Sequence, residues 1–146
     1  MRNFILGAAV VALVSASPAF AGDLTVTVTG LKAKGGTLLL AVYDKATLFR
    51  ATPPFLGQTK VTAAGDVTVT IKDVAAGDYV VSALHDANDD QKMTMGPDGR
   101  FSEGTALTNA EQLRGPPTFD INKITVPATG AKVTIAMSYP EDRSGW

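Results

Sequence analysis

Three oxygen-bearing side chains alternate along one short polar segment, at Asp86, Asn88 and Asp90. This spacing is typical of the first half of a calcium loop, where carboxylate and amide oxygens at the first, third and fifth positions converge on one hard cation. A helix-loop-helix calcium hand is excluded, because the sixth position is Gln91 instead of glycine and the twelfth is Pro97 instead of glutamate.

A looser oxygen shell is still available to the same segment. Ca²⁺ accepts irregular shells of six to eight oxygens, and Asp98 or Glu103 could complete one from later in the chain. One interpretation is therefore a weak Ca²⁺ site formed by Asp86, Asn88 and Asp90 and closed by Asp98 or Glu103. The other interpretation, which the residue types favour, is that the first three side chains only accept hydrogen bonds from the backbone of their own turns, as Asp and Asn do routinely.

His85 is the only histidine and directly precedes this segment. In a catalytic interpretation it acts as a general base with Asp86 or Glu103, in a small hydrolase or lyase. No motif such as G-x-S-x-G places a nucleophile beside it. In a structural interpretation, the ring is packed at the end of the domain and hydrogen-bonded to loop backbone. The residue types favour the structural interpretation, so no catalytic residue is assigned.

The elements that must position these residues are β-strands. Apolar and polar residues alternate with period two, as in a strand with one buried and one wet face, in 24–29, 67–72 and 133–138. Two runs, 37–43 and 79–84, are apolar at almost every position and predict central strands. Weaker strands are predicted at 59–63 and 123–126.

About seven short strands separated by Gly-rich turns, with no amphipathic helix of normal length, predict an all-β fold. We expect an antiparallel two-sheet sandwich, immunoglobulin-like or prealbumin-like. One long loop runs from His85 to Phe119, and Thr108 with Glu111 has the spacing of a helix capping box inside it. Loops of this length in a compact domain are usually functional or disordered.

The first 21 residues have the layout of a cleaved secretory signal peptide. Arg2 precedes an apolar run, and Ala19-Phe20-Ala21 supplies the small residues that a peptidase requires. The run is too short for a membrane anchor. We expect cleavage after about Ala21, a β-sandwich domain over 22–139 and a flexible polar tail over 140–146, with no transmembrane segment after cleavage. The product would be periplasmic or secreted.

Composition excludes several partners and cofactors. The formal net charge is −1 and lysine and arginine are not clustered, so nucleic acid is not an expected partner. The chain has no cysteine, which excludes disulfides, a lipoprotein signal and thiolate metal sites. No cofactor is certain from the residues. Ca²⁺ is possible, while Met93 and Met95 give only a weak indication of copper because two thioethers have no histidine partners.

The run 75–88, AAGDYVVSALHDAN, with Glu103-Gly104 and the later PTFD at 117–120, resembles the bacterial exported family called domain of unknown function 2141. Thr94 and Phe101 depart from the residues usual in that family, an aspartate and a proline. The resemblance implies an exported β-sandwich and carries no catalytic residues to this chain.

Three functions remain open at this stage. The first is a non-enzymatic binding or interaction module for an unknown protein or small-molecule ligand of the cell envelope, with the weak Ca²⁺ site in its long loop. The second is the hydrolase or lyase that uses His85. The third is a structural envelope protein that works through sheet-edge pairing.

Overall fold

The computed structural model describes residues 21–93, 95–97 and 102–142. The predicted signal peptide, apart from Ala21, lies outside the described residues. The strands in chain order are β1 Ala21–Leu31, β2 Thr37–Tyr43, β3 Phe55–Lys60, β4 Gly65–Ala75, β5 Gly77–Asp86, β6 Gly104–Leu107, β7 Ile124–Val126 and β8 Ala131–Ala136. One short α-helix, α1, spans Phe119–Asn122, and two 3₁₀ turns span Ala110–Gln112 and Pro140–Asp142.

These strands form the two layers of a sandwich, which confirms the predicted all-β class. One sheet has the order β4-β1-β8, and the other has the order β3-β2-β5-β6. The short strand β7 also pairs with β5, alongside Gly77–Tyr79, while β6 pairs farther along, from Ser82 to His85. No helix in the described ranges is long and apolar enough to cross a membrane.

One strand pair departs from the predicted antiparallel arrangement. β1 and β8 run parallel, with Val26 beside Val133 and Val28 beside Ile135. A parallel pair needs a long crossover between its strands. Here almost the whole domain separates them, because β2 to β7 lie between β1 and β8 in the chain.

The period-two patterns correspond to the two faces of the sheets. Leu24, Val26 and Val28 of β1 are fully buried, and the threonines between them face outward. In β5, Val80 and Val81 are both fully buried, as expected for a central strand covered on both faces. Each such valine or leucine contributes about 1.5–3 kcal/mol to folding.

The long loop is shorter than predicted, because β6 lies inside it. β6 has only four residues and begins with a glycine, so its sequence carries too little alternation to identify a strand. The weak strand predicted at 59–63 is also displaced, since the observed strand is Phe55–Lys60. Thr108 does not cap a helix: its hydroxyl accepts from Val81 N at 3.2 Å and donates to the carbonyl of Asn122 at 2.6 Å.

The end of the described chain is attached to the sandwich. Tyr139 is buried, and the 3₁₀ turn Pro140–Asp142 follows it. Within this turn, Glu141 pairs with Lys34 and lies 3.1 Å from Lys32 Nζ. Residues 140–142, expected as part of a flexible tail, are therefore held by ion pairs, and 143–146 lie outside the described residues.

Candidate functional site

Asp86 closes the turn that follows β5. Its Oδ1 accepts from the backbone N–H of Asp90 at 3.2 Å, and its Oδ2 accepts from that of Gln91 at 2.8 Å. Asp89 and Gln91 both have left-handed backbones, with φ of 55° and 58°. The side chain of Asp86 is buried and held in one orientation, so the turn presents its carboxylate at a defined position.

Asn88 and Asp90 complete the turn by similar bonds. Asn88 Oδ1 accepts from Asp90 N at 3.3 Å, and Asn88 Nδ2 donates to Asp90 Oδ2 at 3.2 Å. Asp90 Oδ1 in turn accepts from Lys92 N at 2.9 Å. The side-chain-to-backbone bonds that formed the alternative interpretation of this segment are thus present. They do not exclude a cation, because an ionised carboxylate offers about four lone-pair sites.

Glu103 reaches the same place from the other side of the loop. His85 pairs with Gly104 in the β5–β6 register, so Glu103, one residue before Gly104, lies opposite Asp86. One carboxylate oxygen each from Asp86, Asp90 and Glu103 lies within 4.8 Å of the other two. We call these three side chains the carboxylate cluster.

The cluster has the dimensions of part of a calcium shell. Ca²⁺ binds oxygens at about 2.3–2.6 Å, so two oxygens on opposite sides of one ion are at most about 5 Å apart. Two of the three carboxylates, those of Asp86 and Glu103, are buried. A divalent cation among them would be attracted to every ionised carboxylate of the cluster. Asp98, the remaining predicted ligand, lies outside the described residues.

Asp89 belongs to the same turn but points elsewhere. Its Oδ1 accepts from the Thr37 hydroxyl at 2.6 Å, and its Oδ2 lies 3.3 Å from Lys60 Nζ. The Thr37 hydroxyl and then Lys60 lower the pKa of Asp89 below its usual range. Asp89 therefore attaches the turn to β2 and β3. The alternating pattern gave no reason to single it out.

His85 is buried in a hydrogen-bonded network. Its Nε2 lies 2.7 Å from the Gly35 carbonyl and its Nδ1 lies 2.6 Å from the Tyr139 hydroxyl. A carbonyl can only accept, so Nε2 carries the hydrogen and Nδ1 accepts from Tyr139 in the neutral ring. The hydroxyl of Tyr139 also accepts from Lys32 N at 2.9 Å. Both ring nitrogens are engaged, which favours the structural interpretation of His85 over a general base or a metal ligand.

Comparison with known proteins gives one result. A family described as "Uncharacterized protein conserved in bacteria (DUF2141)" matches residues 26–135. The chain belongs to this family. No curated protein and no solved structure matches the chain.

Membership in DUF2141 confirms the resemblance seen in the sequence. The matched residues run from the middle of β1 to near the end of β8 and include the whole carboxylate cluster. Tyr139, the hydroxyl partner of His85, lies just outside them.

Proposed function

We propose that this DUF2141 protein is exported, loses its first 21 residues, and acts outside the cytoplasm as a non-enzymatic binding module. Its loop between β5 and β6 binds one Ca²⁺ ion through Asp86, Asp90 and Glu103, and the ion orders the loop. The convergence of these three carboxylates carries the proposal, since they come from two chain segments and meet within 4.8 Å.

The surroundings of the cluster support the choice of a hard cation. The available donors are carboxylate oxygens, with the Asn88 amide beside them, and Ca²⁺ prefers such ligands to nitrogen or sulfur. The nearby histidine has both nitrogens in other hydrogen bonds. Extracellular modules commonly use calcium sites with Kd near 10⁻⁴ to 10⁻³ M, so a partly exposed cluster suffices outside the cytoplasm.

Export is supported by the signal-like sequence and by where β1 starts. β1 begins at Ala21, and the ladder with β4 pairs Gly22 with Val74. Cleavage after Ala21 would leave every later pair of this ladder in place. The mature protein can thus fold as the same sandwich.

A non-enzymatic role is supported by the burial of His85. An enzyme that used this histidine as a general base would have to break the bond between Nδ1 and Tyr139 before the ring could accept a proton from a substrate, since Nε2 already carries a hydrogen. That bond is buried, and an unsatisfied buried polar group costs about 1–3 kcal/mol.

Two measurements test the proposal. N-terminal sequencing of the protein from a periplasmic or culture-medium fraction should begin at Gly22. An intact leader there would refute cleavage, and absence of the protein from both fractions would refute export. Calorimetric titration of chelator-treated mature protein with CaCl₂ should give one site per chain. Asp90→Asn should weaken Ca²⁺ binding by at least about tenfold, while Asp120→Asn, the same change at an exposed aspartate of α1 outside the cluster, should leave Ca²⁺ binding unchanged. Absence of heat from the unmodified protein would refute the ion site.

A further inference from the structure

A groove of about 850 Å³ lies against β5 and β6, and its described lining includes none of the three residues of the carboxylate cluster. Ser82 and Leu107, which pair directly between β5 and β6, form its floor. One wall comes from the segment after β2, with Tyr43 and Phe49, and another comes from the segment after β6, with Leu113. Small-molecule sites are typically clefts of about 300–1,000 Å³ lined mainly by apolar and aromatic side chains.

Phe49 is held over this groove by an unusual backbone. Its φ is 54°, in the left-handed region that a bulky side chain rarely occupies. Phe49 is 53% exposed, and the centroid of its ring lies 5.4 Å from that of Tyr43. A strained residue that exposes a large apolar ring gains little for folding, and such strain concentrates at ligand-binding sites.

One charge lies among the groove-lining residues that the structure describes, and it is the guanidinium of Arg50. Arg50 forms no ion pair within residues 21–93, 95–97 and 102–142. Burial raises the pKa of Tyr43, so its hydroxyl is neutral at ordinary pH. The described lining is thus an apolar surface with a single positive charge.

We propose that this groove binds a single-chain fatty acid, with the hydrocarbon chain against Phe49, Leu107 and Leu113 and the carboxylate paired with Arg50. The positive charge selects an anionic head, and the apolar lining selects a hydrocarbon body. The inference builds on the proposed binding function by naming a ligand class, and it requires nothing of the carboxylate cluster.

The test is calorimetric titration of the mature protein with sodium decanoate. EDTA is present throughout, because Ca²⁺ precipitates fatty acids and because the groove is then measured without the ion. Decanoate should bind saturably with one site per chain. Decyltrimethylammonium, which has the same chain and the opposite charge, should bind at least about tenfold more weakly. No saturable binding of decanoate, or equal binding of the two amphiphiles, would overturn the inference.

Two pairs of exposed variants assign the site. Arg50→Gln should weaken decanoate at least about tenfold, and Lys45→Gln, the same change of charge in the same segment outside the lining, should stay within about twofold. Ala51→Asp places a carboxylate in the groove and should weaken decanoate binding as much as Arg50→Gln does. Ala46→Asp, outside the lining, should leave decanoate binding nearly unchanged. Equal effects within each pair would overturn the assignment. If decanoate does not bind while Ca²⁺ still binds, the ligand class is wrong and the ion site stands. If Ca²⁺ does not bind while decanoate does, only the ion site is rejected.

Discussion

The hydroxyl of Tyr139 lies 2.6 Å from Nδ1 of His85, so a residue after the last strand is bonded to the residue that precedes the candidate ion site. The same hydroxyl accepts from the backbone of Lys32 in the connection between β1 and β2. Three distant segments therefore meet at one oxygen atom, and they hold the end of β5 from which Asp86 projects.

Tyr139→Phe removes that oxygen while keeping the ring. Nδ1 of His85 and the N–H of Lys32 would both lose a partner in the interior, which should lower the free energy of unfolding by about 1–3 kcal/mol. Urea unfolding followed by circular dichroism measures the change. Tyr43→Phe is the control, because the Tyr43 hydroxyl makes no hydrogen bond within the described chain, and it should cost less than about 0.5 kcal/mol. Equal losses in the two variants would contradict the network.

Gly104→Ala should destabilise the domain by at least about 2 kcal/mol. A Cβ at Gly104 would stand 2.5 Å from Cε1 and 2.8 Å from Cδ1 of Tyr139, so the tyrosine ring would have to move away from His85. Gly115→Ala is a matched control, because a Cβ there meets nothing within 4 Å. Thermal melting of both variants checks the prediction, and a Gly104→Ala protein as stable as the control would refute the close packing.

The ion pairs of Glu141 should make stability fall at acid pH. Hydrogen bonds from Lys34, with help from Lys32, lower the pKa of Glu141 from 4.5 to about 2. A carboxylate with a lowered pKa stabilises the fold fully above its unfolded pKa, and this contribution is lost as pH falls from about 4.5 through 2. Because the group is solvent-exposed, the effect should stay below about 1 kcal/mol.

Glu141→Gln tests that window. The difference in unfolding free energy between this variant and the unmodified protein should be present at pH 6, shrink between pH 4.5 and 2, and decrease with added salt. Glu111→Gln changes an exposed glutamate that forms no ion pair within the described residues, and it should show no such trend. A difference for Glu141→Gln that is constant from pH 6 to 2 would contradict the prediction.

Phe49→Gly should leave stability within about 1 kcal/mol of the unmodified protein. Relief of the left-handed backbone gains about 1–2 kcal/mol, while the lost contact with Tyr43 and the extra chain entropy of glycine together cost a comparable amount. Phe55→Gly, at a partly buried ring that meets Tyr79 edge-on, should cost at least about 2 kcal/mol. If urea unfolding gave the same loss for both, Phe49 would be a folding residue. The same Phe49→Gly protein should bind decanoate more weakly.

Much of the sandwich could be predicted because alternation is local. Val26 and Val28 are buried for the reason that the pattern indicated, and the two apolar runs are indeed central strands. β6 could not be recognised, since its stability comes from pairing with β5 and not from its own four residues. The parallel partner of β1 was also hidden, because the direction of pairing depends on the whole path between the strands.

The same contrast between local patterns and long-range contacts applies to the candidate sites. The spacing of Asp86 and Asp90 predicted their convergence, and Glu103 was named only as a residue able to close the shell. Its position depends on the β5–β6 register, which a single sequence does not reveal. Tyr139 was missed because its partners are 54 and 107 residues away. The groove was missed because its walls come from separate segments and none of them carries a motif.

The most direct test of the ion site is the melting temperature of the mature protein in CaCl₂ and in EDTA. At ten times Kd, an ion that binds only the folded state adds about 1.4 kcal/mol, which should raise the melting temperature by roughly 5 °C in a domain of this size. Asp90→Asn and Glu103→Gln should lose this rise, and Asp120→Asn, at an exposed aspartate outside the cluster, should keep it. Coincident melting curves for the unmodified protein in calcium and in chelator would contradict calcium binding at the carboxylate cluster.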